Sequence, residues 1–383
     1  MKSNTEITKI EDSRELGNKS KTKGMFIPSP KQLYQHLNDY VIGQDDAKKT
    51  LAVAIYNHFK RFMINVYGVT KNVKSYEKYE DVFIEKSNVL MLGNSGTGKT
   101  YMVKTLCNFL NIPCYIADST KLTESGYVGD DVENILVGLL KSCDYNIEMA
   151  QCGVVVLDEI DKLSRKGENV SITRDVGGEG VQQGLLKIVE GGIISVPPQG
   201  GRKHPQQKCI DIDTTNILFI ALGAFEGIER VIEKRLNTNR IGFNTTQTYN
   251  KDIDILSNVD TADIRQYGLI PELLGRFPII THTNPLTEDD MIKILSDTKN
   301  SAIRQYQKLM SVDNINLDFT ENALRIIAHK AIITKTGARG LKKIIENVLM
   351  NIMFEFGGNT EKTDIIIDED FINNELGQQE KVA

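Results

Sequence analysis

Four short apolar runs punctuate the first two-thirds of the chain: Val89–Leu92, Cys114–Ile116, Val154–Leu157 and Ile217–Ala221. Each is too short for a typical helix, and unbroken apolar runs of this length suit strands buried on both faces. Helix-like or loop-like sequence separates them, which predicts an α/β core, a parallel sheet with crossover helices. Upstream, Ala47, Leu51, Ala54, Ile55 and Phe59 recur at helical spacing. The polar, lysine-rich stretch from about Val69 to Lys86 predicts an exposed connection between that helix and the first strand.

After Pro285 the pattern changes to amphipathic helices, carried by Met291, Ile294 and Leu295, by Leu324, Ile327 and Ala328, and by Leu341, Ile344, Ile345, Val348 and Ile352; Ile365–Ile367 reads as a strand. The expected division is a disordered tail over 1–27, a large α/β domain over 28–283, a hinge over 284–287 at Asn284-Pro285-Leu286, and a smaller, mainly helical domain over 288–383.

At 383 residues with 40% apolar content the chain can bury a full core, and 46 basic against 51 acidic residues give a formal charge of −5. Without a global positive field, nucleic acid is not expected as the main partner, and no apolar run approaches a membrane span. Residues 2–24 mix Lys2, Lys9 and Arg14 with Glu6, Glu11, Asp12 and Glu15, unlike a signal or transit peptide, so the expected location is the cytoplasm. Cys107, Cys114, Cys143, Cys152 and Cys209 are odd in number and irregularly spaced, which signals neither a disulfide framework nor a zinc site. Cys114 and Cys152, in or beside apolar runs, are expected to be buried thiols.

The chemistry concentrates directly after the first run, at Gly93-Asn94-Ser95-Gly96-Thr97-Gly98-Lys99-Thr100. Glycines let the backbone curl so that successive N–H groups point at nucleotide phosphates; Lys99 adds a positive charge and the Thr100 hydroxyl can ligate Mg²⁺. The strand Val154-Val155-Val156-Leu157 ends in Asp158-Glu159, two adjacent carboxylates that are costly as filler in a sheet. They read as a Walker B motif, Asp158 holding the Mg²⁺ shell and Glu159 orienting and deprotonating the attacking water; the alternative is a simple cap on the following helix. Arg276, in Gly275-Arg276-Phe277-Pro278, and Arg339, in Gly337-Ala338-Arg339-Gly340, could meet the charge of phosphoryl transfer, though by themselves they read more readily as solvated side chains.

From Pro28 to about Phe354 the chain resembles the ClpX family of AAA+ ATP-dependent unfoldases, rings that feed a barrel-shaped peptidase. The resemblance is carried by Tyr40-Val41-Ile42-Gly43-Gln44, the phosphate loop, Leu122–Asn134, the Walker B strand with Ile160-Asp161-Lys162, Ser171–Val176, Pro197–Pro205 and Lys335–Gly340. It implies an AAA+ P-loop NTPase core with a C-terminal lid domain. Val41 and Ile42 would pack on adenine, Arg276 would be the arginine finger reaching a neighbouring subunit's ATP, and Arg339 the small-domain sensor of the phosphates. A finger acting in trans requires a ring, in this family a homohexamer.

The resemblance also places Tyr127 and Val128, within Gly126–Gly129, in an axial pore loop that grips unfolded or tagged protein substrates, Arg174 in a second pore loop, and Arg202-Lys203-His204 around the pore entrance. Ile241-Gly242-Phe243 would dock a ClpP-type peptidase. On spacing alone three of these have plainer alternatives: a core-packed tyrosine for Tyr127, a solvated basic turn for Arg202-Lys203-His204, and a loop tethered to its own core for Ile241-Gly242-Phe243. The family's zinc domain is not expected, because no cysteine precedes Cys107. Asn94-Ser95 replaces the common Pro-Thr, Gly177 replaces a frequent serine, and Ile217–Leu222 offers no polar sensor residue. A non-proteolytic, ATP-driven remodelling factor is the alternative function.

Overall fold

The apolar runs pair as strands of one sheet. The computed structural model describes residues 27–67, 79, 81–123, 130–164, 178–198, 209–238, 255–334, 336–358 and 360–380. Its strands are β1 (Val89–Leu92), β2 (Cys114–Asp118), β3 (Leu122–Thr123), β4 (Asp130–Asp131), β5 (Val154–Asp158), β6 (Ile193–Val196), β7 (Ile210–Asp213), β8 (Leu218–Gly223), β9 (Ile279–His282), β10 (Ile315–Phe319) and β11 (Thr363–Ile367). The main sheet has the order β2-β5-β8-β1-β9, every pair parallel.

Side chains alternate between two cores, because successive residues of a strand face opposite sides of its sheet. Val89 and Met91 of β1, Val154 and Val156 of β5, and Leu218, Ile220 and Leu222 of β8 join the core built with helices Pro30–Asn38, Asp45–Tyr67 and Lys99–Leu110. Leu90 and Leu92, Val155 and Leu157, and Phe219 and Ala221 join the core containing helices Asn134–Lys141 and Glu179–Val189. Neither face is left wet, which is why these strands lack polar alternation.

Smaller strand pairs frame segments of interest. The parallel pair β3·β4 brackets residues 124–129, and the antiparallel hairpin β6·β7 carries 199–208 in its connection. Gln182, fully buried, stitches three segments: its amide donates to the Leu163 carbonyl at 2.8 Å and to that of Gly268 at 3.4 Å, and accepts from the Ile270 N–H at 2.8 Å.

The C-terminal domain has a separate core. Helices Glu288–Ser296, Ala302–Ser311, Glu321–Ile333 and Ala338–Phe356 pack around Leu295, Ile327, Ile345, Val348 and Leu349, with β10 and β11 forming a parallel pair. Helix Glu288–Ser296 starts with a reciprocal cap between Thr287 and Asp290, which satisfies N–H groups otherwise left open at its first turn.

Two local expectations change. Lys86, at the end of the connection, is half-buried rather than exposed: it donates to the Thr214 carbonyl at 3.0 Å and lies over the Phe219 ring, and partial burial pulls its pKa down to about 7. With His58 and Arg61 it satisfies carbonyls of Cys152, Thr214 and Thr215 in the loops that enter β5 and β8. Cys114 and Cys152 are half-buried rather than buried; Cys114 opens the edge strand β2, where one side of the sheet has no neighbour. Cys107 and Cys143 are the buried thiols, and none of the five cysteines, all among the described residues, is in a disulfide.

Candidate functional site

The loop Gly93–Gly98 leaves the C-terminal end of β1 and enters helix Lys99–Leu110, the position from which backbone N–H groups meet phosphates. Gly98 caps this helix with φ 93° and no side-chain hydrogen bond. The first-turn N–H groups are therefore not engaged by a cap side chain, and the positive end of the helix faces the loop mouth.

Lys99 is buried, its ammonium folded back onto the carbonyls of Gly93 and Asn94. Burial lowers its pKa to about 8, with Asp158 and Asp161 opposing the shift. The Thr100 hydroxyl donates to Asp158 Oδ2 at 2.9 Å, joining the phosphate loop to the end of β5. These oxygen donors beside Lys99 suit a hard cation such as Mg²⁺ carried by a nucleotide.

Glu159 is exposed and left-handed, with φ 57° and ψ 37°. It occupies the cap position of the turn Ile160–Leu163 yet makes no side-chain capping bond. Its N–H donates to Asp158 Oδ1 at 3.1 Å. The carboxylate is thus available for chemistry rather than used to start the next turn. Asp161, which the sequence reading gave no role, is buried and accepts from the Ala224 N–H at 3.1 Å. This contact shapes the wall beyond β8, where the strand end offers no polar side chain, as expected.

A cavity of about 720 Å³ opens here. Val41 and Ile42 line one side, Ser95–Thr100 the floor, and Asp158 and Glu159 the edge at the end of β5. The remaining wall comes from the C-terminal part of the chain, including Leu286, Ile294, Leu295, Ser301, Ala338 and Arg339. Most of that second wall was missed in sequence: its residues form ordinary amphipathic helices, and only docking of the domain brings them to the loop.

The two domains meet tightly at the phosphate loop. The Ala338 N–H donates to the Gly96 carbonyl at 3.2 Å, and the Arg339 guanidinium reaches the Ser95 hydroxyl at 3.5 Å. Arg339 is exposed at the start of helix Ala338–Phe356 and lines the same cavity. Arg276 does not line it; its side chain is half exposed and ion-paired with Glu190 at 2.6 Å. Tyr127, Val128, Arg174, Arg202, Lys203, His204, Ile241, Gly242 and Phe243 lie outside the described residues.

Comparison with known proteins agrees with this geometry. Residues 84–280 match the AAA domain (Cdc48 subfamily) model, and residues 286–359 match the C-terminal, D2-small domain of ClpB protein. The chain is 48% identical over 339 residues to the ATP-dependent Clp protease ATP-binding subunit ClpX of Bacteroides fragilis, covering 88% of this chain and 79% of that protein. It belongs to the ClpX family. The protein of the same name from Treponema denticola is 48% identical over 351 residues, covering 91% and 82% of the two chains. That from Bacteroides thetaiotaomicron is 46% identical over 362 residues, covering 93% and 84%. As a ClpX-family AAA+ protein, the chain is a nucleotide-binding ATPase with an ATP-dependent unfoldase role. No helix among the described residues is long and apolar enough to cross a membrane.

Proposed function

We propose that the chain forms a cytoplasmic homohexameric ring that hydrolyses Mg²⁺-ATP to unfold and thread protein substrates into a ClpP-type peptidase. The observation that carries this reading is a nucleotide cavity walled by both domains, with Arg276 outside it. Hydrolysis changes the charge at the seam between the domains, and a change in their angle is the mechanical output.

Within each subunit Val41 and Ile42 hold the base, while Lys99 and the N–H groups of the phosphate loop hold the phosphates. Thr100 and Asp158 hold Mg²⁺, which when bound neutralises phosphate charge and orients the phosphate oxygens. Glu159 orients the attacking water and accepts its proton. Arg339 reads the phosphates from the C-terminal domain, and Arg276 leaves Glu190 to meet the ATP of an adjoining subunit. Tyr127 and Val128 grip the substrate, Arg174 and Arg202-Lys203-His204 line its path, and Ile241-Gly242-Phe243 dock the peptidase. Several docking loops on one ring provide avidity that a single apolar tripeptide lacks.

The test is degradation of a fluorescent protein bearing an unstructured C-terminal tag, with ATP and with a ClpP-type peptidase added or omitted. The proposal expects peptide products only with the peptidase present. Sustained ATP hydrolysis with neither docking nor degradation would instead assign the chain to non-proteolytic remodelling.

A further inference from the structure

Gln44 is buried, although an amide side chain beside a surface turn would ordinarily face water. Its backbone is left-handed at φ 61°, directly after Gly43 at φ 61°. This double turn aims the amide at a residue 240 positions away: Nε2 donates to the Asn284 carbonyl at 2.9 Å, and Oε1 accepts from the Asn284 N–H at 2.7 Å. Both hydrogen-bonding groups of one hinge peptide position are thus matched by one side chain.

The preceding residue, Thr283, ties the same point to the phosphate loop. Its N–H donates to the Leu92 carbonyl at 2.8 Å, and its hydroxyl lies 2.7 Å from that of Thr97. On the base side, Val41 and Ile42 line the nucleotide cavity three and two residues before Gln44. A second attachment lies at Asp39, whose carbonyl accepts from the Lys299 N–H at 2.8 Å and whose carboxylate pairs with the Lys299 ammonium at 2.6 Å. The strap 39–44 is therefore fixed to the hinge at one end and to the C-terminal domain at the other, with the base-lining residues between.

We infer that Gln44 is a positioning residue of the ATPase, transmitting occupancy of the base pocket to the root of the hinge. The inference rests on the reading that Val41 and Ile42 contact the base. Nucleotide that settles against Val41–Ile42 restrains the strap, and the two Gln44 bonds restrain Asn284 with it. A purely apolar side chain could fill the volume but would leave the Asn284 N–H and carbonyl unmatched. A carboxylate could accept from the N–H but would oppose the carbonyl.

The test is hydrogen–deuterium exchange of the full chain with and without a saturating non-hydrolysable ATP analogue, comparing wild type with Gln44→Met and Gln44→Glu. In wild type, nucleotide is expected to slow exchange both in the phosphate-loop peptide, residues 89–104, and in the hinge peptide, residues 279–296. In both variants the phosphate-loop protection is expected to remain while nucleotide-dependent hinge protection falls about tenfold, within the usual range of intramolecular coupling. Equal hinge protection in variant and wild type would overturn the inference. So would parallel loss at both peptides under saturation, which would make Gln44 a general support of the pocket. If wild type showed loop protection but no slowing around Val41 and Ile42, the base-pocket reading would fail first, and the two failures are thereby told apart.

Discussion

Lys99 concentrates the site's electrostatics in one side chain. Its ammonium is held in a buried position that lowers its pKa from 10.5 to about 8. A lowered folded-state value means that the unfolded chain binds the proton more strongly: the burial penalty is full below about pH 8 and disappears above about 10.5, so this group makes stability rise with pH between them. Phosphates act in the opposite direction by favouring the charged form. Nucleotide binding at pH 8.5 is therefore expected to draw a proton onto Lys99, whereas at pH 7 the lysine is already charged. Calorimetric titration in buffers of different ionisation enthalpy should register this uptake, and affinity should fall by up to about tenfold per pH unit above pH 8. Lys99→Met should abolish measurable binding; binding of wild-type strength by that variant would remove Lys99 from the phosphate site. Glu159→Gln, by contrast, should bind ATP normally and hold it unhydrolysed, as retained radiolabelled ATP on the isolated protein would reveal.

At the scale of elements, the seam between the phosphate loop and helix Ala338–Phe356 leaves no room for an added methyl group. Gly96 has φ 81°, and a Cβ there would sit 2.9 Å from the Thr336 carbonyl oxygen and 3.0 Å from the Gly337 Cα. Gly96→Ala is expected to push the C-terminal domain off the loop and weaken nucleotide binding by about tenfold or more, while each domain keeps its own core. Unchanged affinity would mean the seam opens without cost. Gln182→Leu tests a different joint: leaving the carbonyl of Leu163 and the N–H of Ile270 unmatched should lower stability by about 2–4 kcal/mol in denaturant titration. The same contrast between local and remote contacts decides what the sequence could disclose. β1, β5 and β8 are buried on both faces and so appear as uninterrupted apolar runs, and the phosphate loop is legible because its backbone shape demands glycines at fixed places. β9 escapes because Ile279-Ile280-Thr281-His282 is a half-buried edge strand, and β10 because Ile315-Asn316-Leu317-Asp318 alternates with only two buried residues. Gln44 on Asn284, Glu190 on Arg276 and the C-terminal wall of the cavity depend on residues far apart in the chain, for which no local pattern exists.

At the scale of the whole molecule, the placement of Arg276 makes subunit architecture testable. Its guanidinium is paired with Glu190 and does not line its own subunit's cavity, so in the proposed ring it serves a neighbour's nucleotide. Rings made only of Arg276→Ala subunits should bind ATP yet hydrolyse it poorly, as should rings made only of Glu159→Gln subunits. Mixing the two before assembly creates interfaces at which an intact Glu159 from the Arg276→Ala subunit faces an intact Arg276 from the Glu159→Gln subunit. Random assembly at equal amounts places this combination at about one interface in four, given one type of head-to-tail contact around a closed ring. ATP hydrolysis should therefore rise well above that of either parent. If Arg276 acted within its own chain, no mixed interface would bring the two intact groups to one nucleotide, and mixing would restore nothing. Activity in the mixture, absent from both parents, would thus establish both the shared site and the assembly that shares it.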